Sequence, residues 1–293
     1  MQAGVMDTIV LFCKSYRNDL LRAKRLAESV QQFNMDRLPF YLSVPRGDLP
    51  LFREHLAGIE LTLLTDEEIL AANPQHTESL IAKMPGNHLQ QVVKSEFWRL
   101  GLSLNYLMID SDSYFIRNFT TADFMYDNST PYTVMHEGRD LLGFAARNGL
   151  PKIKKNFVKD RSAAQKYFER PGRIYDFGPT PIICHIDVWK RLTEDYNRSK
   201  SMSFADMISM FPNEMLWYGE ALLYYKPIPV MPIEPLFKVF HYREQYQESV
   251  ALNENEQVLA ENYLGIINQS NWDTSLDLVP RKKRSWKTLW LKR

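Results

Sequence analysis

The sequence predicts an α/β protein built on a largely parallel sheet. Three observations carry this. Strand-like apolar runs alternate with helix-periodic segments through the first half of the chain. With 293 residues and 45% hydrophobic content, the chain can bury a substantial core. The apolar run Tyr106–Ile109 passes straight into the polar stretch D-S-D-S at 110–113, and ligands on parallel sheets bind at the carboxyl ends of strands.

Thr8 to Cys13 reads as the first strand. Asp19 to Phe33 follows as a helix, with Leu20, Ala23, Ala27 and Val30 at helical spacing. Pro39 to Val44 reads as a second strand, Asp48 to Leu56 as a short helix, and Ile59 to Leu64 as a third strand. Thr65 is placed to cap a helix beginning at Asp66 and running to Ala72. A longer helix is predicted from about Asn87 to Leu104, with Leu89, Val92, Val93, Phe97 and Leu100 inward. It delivers the chain to the fourth strand, Tyr106 to Ile109.

The second half is less regular. Tyr132 to His136 reads as a strand, and residues 150–170 as a basic, mostly helical insertion suited to a lid or to the acceptor side. F-G-P-T-P-I-I-C-H at 177–185 reads as a turn and a strand. Asp187 to Asp195 and Pro212 to Tyr225 read as helices, with Pro212 near the start of the second. The four prolines of Pro227 to Pro235 require an extended or looped path. No linker divides the body, so 1–280 reads as one domain, with a nucleotide-binding half (about 1–120) and an acceptor half (about 121–280), followed by a tail at 281–293.

Composition narrows the function. No apolar run approaches the roughly 18 residues of a membrane span, and Met1 to Asp7 lacks the basic and apolar regions of a secretory signal. Cys13 and Cys184, the two cysteines, form no disulfide framework. A reduced, cytoplasmic setting is the simplest expectation. The net charge of +1 hides an asymmetry: the tail R-K-K-R-S-W-K-T-L-W-L-K-R holds seven of the 36 Lys and Arg residues and no acid. The first 280 residues then carry 29 basic against 35 acidic side chains, a net of −6, so a nucleic-acid-binding surface is not indicated. In the tail, Trp286, Leu289 and Trp290 share one helical face among basic residues. That combination suits an anionic membrane surface; a disordered tail, or one docked on its own body, is the alternative.

Asp110 and Asp112 hold the most specific chemistry. Residues two apart at a strand end point to the same side, so both carboxylates can meet one cation. Hard oxygen ligands suit Mg²⁺ or Mn²⁺, and a nucleoside diphosphate leaving group needs such a cation. Elsewhere, Gln90, Lys94 and Phe97 share a helix face. Glu214 and Glu220, six residues apart, lie about 120° apart on their helix and do not point at one atom. Gly219, beside Glu220, leaves backbone room for a ligand. Asp176, just before F-G-P, is a further candidate base. Each of these acids also has a plain reading as a solvated or structural group.

The set Q-Q-V-V-K-S-E-F-W-R-L (90–100), Y-L-M-I-D-S-D-S-Y-F-I-R (106–117), G-P-T-P-I-I (178–183), N-E-M-L-W-Y-G-E-A-L-L (213–223) and F-H-Y (240–242) resembles the GT-A-type glycosyltransferases. Among them it is most similar to a small bacterial group linked to surface polysaccharide assembly. The resemblance implies a GT-A-like sheet and sugar transfer from a nucleotide-sugar donor, UDP being the common nucleotide, to a glycan or lipid-linked acceptor. It implies Mn²⁺ or Mg²⁺ held by Asp110 and Asp112, with His241 as a third ligand near the C-terminus. It places the donor against Lys14, Ser15, Tyr16, Lys94, Asp110 and Ser111, with Tyr16 stacking on the base and Ser15 hydrogen-bonding it. An acceptor-side base would come from Glu220, Asp176 or Glu214. Two rivals stand beside this expectation: a phosphohydrolase of the haloacid dehalogenase type, whose Asp-x-Asp usually ends the first strand, and a scaffold that binds nucleotide sugars without turnover.

Overall fold

A computed structural model describes residues 7–199 and 201–280. In chain order the elements are β1 (Asp7–Lys14), α1 (Leu20–Phe33), β2 (Phe40–Val44), α2 (Leu49–His55), β3 (Thr62–Thr65), α3 (Asp66–Ala71), α4 (Glu78–Lys83), α5 (Gly86–Glu96), β4 (Ser103–Asp110), β5 (Ser113–Phe115) and β6 (Thr133–Val134). There follow α6 (Arg139–Arg147), α7 (Pro151–Tyr167), β7 (Ile182–His185), α8 (Ile186–Ser199), α9 (Phe204–Met210), α10 (Glu214–Tyr225), β8 (Pro232–Ile233), β9 (Phe237–Phe240), α11 (Arg243–Ala251), α12 (Glu256–Leu259) and β10 (Gly265–Asn268).

The main sheet has the order β3-β2-β1-β4-β7, with the first four strands parallel and β7 antiparallel to β4. This is the mixed α/β architecture that the strand–helix alternation predicts. Side chains of β1 alternate between two cores, because successive residues of a strand face opposite sides of the sheet. Val10 and Phe12 enter one core with Val92, Phe97, Met108 and Trp217; Ile9, Leu11 and Cys13 enter the other with Leu26, Leu107 and Phe119. Phe97 stacks on Phe12 with ring centroids 3.8 Å apart, and Tyr106 meets both rings edge-on. A central strand covered on both faces explains the near-continuous apolar runs in the sequence.

The structure corrects three boundaries. The helix expected over 87–104 is α5, followed by a single 3-10 turn at Phe97–Leu100 that Gly101 ends at φ 64. The left-handed turn that glycine permits lets β4 start at Ser103, earlier than the apolar run suggests. The third strand starts at Thr62 and not Ile59. The helix expected from Pro212 starts at Glu214, where the Asn213 side chain accepts from the Leu216 N–H. Thr65 caps α3 as expected, in a full capping box with Glu68.

A second sheet has the order β5-β10-β9, with β10 antiparallel to β5 and parallel to β9. Strands β9 and β10 were not anticipated. Their register carries residues 268–271 to the end of β4, where the candidate site lies.

Candidate active site

Strands β1 and β4 are neighbours at the middle of the sheet, and the chain order reverses between them. Such a switch point opens a crevice at the carboxyl ends of the strands. Lys14 and Asp110 face each other across it in the strand register. A cleft of about 310 Å³ opens there, lined by Lys14, Tyr16, Asp19 and Gln90 on one side and Asp110, Ser111 and Asp112 on another. Gln269, Ser270 and Asn271, from the loop after β10, complete it. The two aspartates therefore share one cleft, as their spacing implies.

Each aspartate has a different anchor. Asp110 is ion-paired with the buried Lys94 Nζ, and its Oδ2 accepts from the Thr180 hydroxyl at 2.8 Å. Lys94 also donates to Glu214 Oε1 at 2.9 Å. This lysine sits at 2% exposure, bridging β4 to the start of α10. Burial by itself would push its ammonium down, but the carboxylates of Asp110 and Glu214 outweigh burial and hold it well above the ordinary lysine range. Asp112 Oδ2 accepts from the Ser270 N–H at 2.9 Å, and its carbonyl accepts from the Asn268 N–H at 3.2 Å. Burial first, then the charge of Asp110, pushes the Asp112 carboxyl up to about 7, with the Ser270 N–H pulling the other way. Two crowded carboxylates of hard oxygen, one of them reluctant to ionise beside the other, form a donor pair that fits a small divalent cation. Among the described residues, no three or more His, Cys, Asp or Glu side chains gather into a metal-holding cluster.

The nucleotide-side residues are close together. Lys14 Nζ pairs with Asp66 Oδ2 at 3.1 Å and donates to the Ser15 carbonyl at 2.8 Å. The Ser15 hydroxyl is buried with no hydrogen-bond partner. Tyr16, 37% exposed, stands at the rim.

His241 lies outside this cleft. It lines a separate cavity of about 190 Å³ with His136, Asp176, Pro179, Gln245 and Tyr263 among its walls. Burial pushes its imidazole down to about 4, and it hydrogen-bonds the Gln269 side chain. Gln269 also lines the aspartate cleft, so His241 stands one side chain behind the pair and not beside it. The register of β9 explains this: Phe240 pairs with Asn268, and the chain turns into α11 immediately after.

The three candidate bases are in three different situations. Glu220 is fully buried and held by Arg170 through two contacts, Nε to Oε2 at 2.5 Å and Nη2 to Oε1 at 2.9 Å. It faces neither cavity. Gly219 leaves no room for a ligand, since a Cβ there would lie 2.0–2.3 Å from the Phe177 ring; the glycine admits that ring. Glu214 is committed to Lys94. Asp176 accepts from Arg161 Nη2 at 2.7 Å and lines the second cavity with His136 and His241. Helical geometry separated Glu214 from Glu220 correctly, but no local pattern in the sequence marks which acid an arginine from a distant segment will cover.

Thr180, Asp66, Asp19 and residues 269–271 escaped the sequence reading. One signal was available for the last group: L-G-I-I-N at 264–268 is a short apolar run entering a polar loop, the same pattern that singled out β4.

Residues 5–276 match a family of unknown function, DUF6492. The chain belongs to that family. No curated protein matches it in sequence. Among solved structures it is similar to the apo crystal structure of mouse xyloside xylosyltransferase 1, at 7% identity and a TM-score of 0.50 over 93% of this chain and 99% of that one. It also matches the apo structure of the bifunctional glycosyltransferase WbbM, at 9% identity and a TM-score of 0.49, covering 91% of this chain and 46% of that one. At these identities the likeness is one of fold. The DUF6492 chain thus places its aspartate pair on a glycosyltransferase-like α/β sheet.

Proposed function

We propose that this protein is a metal-dependent glycosyltransferase that moves a sugar from a nucleotide-sugar donor to a hydroxyl of a glycan or lipid-linked acceptor, with 1–280 as its catalytic unit. The observation that carries the reading is the aspartate pair at the carboxyl end of β4, buttressed by a buried lysine, in a fold that it shares with a xylosyltransferase. Asp110 and Asp112 would hold Mn²⁺ or Mg²⁺, which supplies charge neutralisation for the departing diphosphate.

The other roles belong to the chain's own side chains. Lys14, Ser15 and Tyr16 bind the nucleoside, the unpartnered Ser15 hydroxyl taking a hydrogen bond and the exposed Tyr16 ring stacking on the base, uracil where the donor is a UDP-sugar. Ser111 faces the diphosphate from the same cleft. Lys94 fixes Asp110 from behind and adds positive potential where negative charge accumulates. The cavity at His241 takes the acceptor side. There Asp176, one oxygen of which is held by Arg161, is the candidate carboxylate that would face a hydroxyl, because it lines the cavity and Glu220 and Glu214 do not. A cytoplasmic enzyme of surface-polysaccharide assembly, held at an anionic membrane by 281–293, fits this chemistry; the tail lies outside the described residues.

The test is thermal stability against a panel of nucleotides and nucleotide sugars, each with and without Mn²⁺. A ligand that binds the folded state raises the melting temperature by mass action. A metal-dependent rise with one nucleoside diphosphate, lost in Asp112→Asn, is the expected result. A folded sample that shifts with none of them refutes the reading. A covalent phosphate trapped on Asp110 would instead favour the phosphohydrolase, although the strand that precedes the motif here is the fourth and not the first.

A further inference from the structure

The charge of the body is unevenly placed. Residues 137–175 hold ten basic and four acidic side chains, a net of +6, inside a body whose net is −6. All five arginines of this segment pair with carboxylates: Arg139 and Arg173 with Glu137, Arg147 with Glu248, Arg161 with Asp176 and Arg170 with Glu220. None of its five lysines has an ion-pair partner among the described residues.

Four of those lysines form a line. Lys152, Lys155, Lys159 and Lys166, all exposed, occupy α7 at i, i+3, i+7 and i+14. At 100° per residue they fall within about 60° of arc and span roughly 21 Å of helix. The opposite face is the packed one: Phe157 and Ala164 are buried there, and Arg161 reaches inward to Asp176. The stripe therefore points away from the body, where no small ligand in either cavity can meet it. Four unpaired ammonium groups on one straight outward edge are complementary to an extended anionic surface. An acidic body with one basic edge also has a preferred way of facing such a surface.

We propose that the lysine stripe of α7 is a docking edge for a bilayer of anionic lipid. This contact is independent of the C-terminal tail. Its inner face, through Phe157, forms part of the wall of the cavity with Asp176 and His241. Adsorption along the stripe would hold that cavity about one helix diameter, roughly 10–12 Å, from the headgroups. Only this last consequence, presentation to a lipid-linked acceptor, rests on the transferase reading.

The experiment is co-sedimentation of the full-length chain with phosphatidylglycerol-containing and pure phosphatidylcholine vesicles at low and high salt. It compares the parent with K152Q/K155Q/K159Q/K166Q and with a chain truncated after Pro280. Glutamine keeps helix propensity while removing charge, and an unchanged melting temperature checks the fold. Each lysine near an anionic surface contributes about fivefold in affinity. The quadruple variant should therefore lose two orders of magnitude or more on the anionic vesicles, with the parent's binding abolished by salt, and the truncated chain should keep a measurable stripe-dependent part. The proposal is overturned if the parent does not bind anionic vesicles, or if the quadruple variant binds within twofold of the parent. It is overturned equally if the stripe responds to a soluble acidic polysaccharide but not to vesicles. None of these readouts needs turnover, so failure of the docking edge and failure of the transferase reading are separable.

Discussion

Replacing Lys94 with methionine removes the ammonium and keeps most of the volume, which isolates the charge. The structure sets the size of the effect. The Lys94 and Glu214 side chains are 3% and 4% exposed and meet at 2.9 Å, whereas Asp110 is 29% exposed. Loss of one partner of a buried pair leaves an uncompensated charge and costs about 3–5 kcal/mol. Asp110 loses the same partner at its buried Oδ1, but water reaches the rest of its side chain and replaces part of the interaction. A loss of that size lowers the melting temperature on the order of 10 °C in a chain this large. Urea unfolding at pH 8 measures it. Adding Glu214→Gln removes the stranded buried charge and should restore at least half of the loss. A deficit below about 1 kcal/mol at pH 8, or one that the second substitution deepens, would refute the buried-bridge argument.

Asp112→Asn should abolish any Mn²⁺-dependent thermal shift with a nucleoside diphosphate. Because the Asp112 carboxyl is pushed up to about 7, the metal-free fold loses stability as pH rises from about 4 to 7, by a few kcal/mol at most; at pH 8 and without metal, Asp112→Asn should be at least as stable as the parent. His241 has the opposite sign. Its imidazole is held down to about 4, so stability is intact above about 6.5 and falls as pH drops toward 4, on the order of 2–3 kcal/mol, and His241→Gln should remove that acid-side slope in thermal melts. Gly219→Ala drives a methyl into the Phe177 ring and should cost about 1–3 kcal/mol by overpacking; Gly219→Ala with Phe177→Leu should recover much of it, and additivity of the two losses in denaturant titrations would argue against the contact.

The first half of the fold was legible because its signals are local. Ile9–Cys13 and Tyr106–Ile109 are apolar on both sides of the pleat, and a strand covered on both faces must read that way. The Asp110–Asp112 pair was legible for the same reason, since a strand end followed by two carboxylates is a short-range pattern. What the sequence concealed is the partnership of distant residues. Lys94 and Glu214 are 120 positions apart and Arg170 and Glu220 are 50 apart; each side chain alone is an ordinary charge on a helix or loop. Burial decides between a base and a buttress, and burial depends on which helix lands on which. The same limit misplaced His241. Its position near the C-terminus suggested a metal ligand, but the register of β9 against β10 sets it behind Gln269.

The cleft is assembled from both ends of the chain, and one side chain shows how. Arg22, on α1, is 1% exposed. It holds Asp19 Oδ1 at 2.7 Å, Asp277 Oδ1 at 2.5 Å and the Asp273 carbonyl at 2.5 Å. Asp19 lines the aspartate cleft, while 273–277 continue the loop whose Ser270 N–H grips Asp112. The Asn18 carbonyl and side chain add two further ties, to the Leu278 and Val279 N–H groups. Residues 268–279 thus form a strap that is fixed at one end by β10 and at the other by the start of α1. Its middle presents a backbone donor to one metal-candidate carboxylate. The Ser270 N–H draws the Asp112 carboxyl toward ionisation by hydrogen bonding, against burial and the charge of Asp110, so the strap takes part in setting how readily that group charges. A site on a parallel sheet needs only strand ends to exist; in this protein its electrostatics are completed by a segment more than 150 residues downstream of the motif.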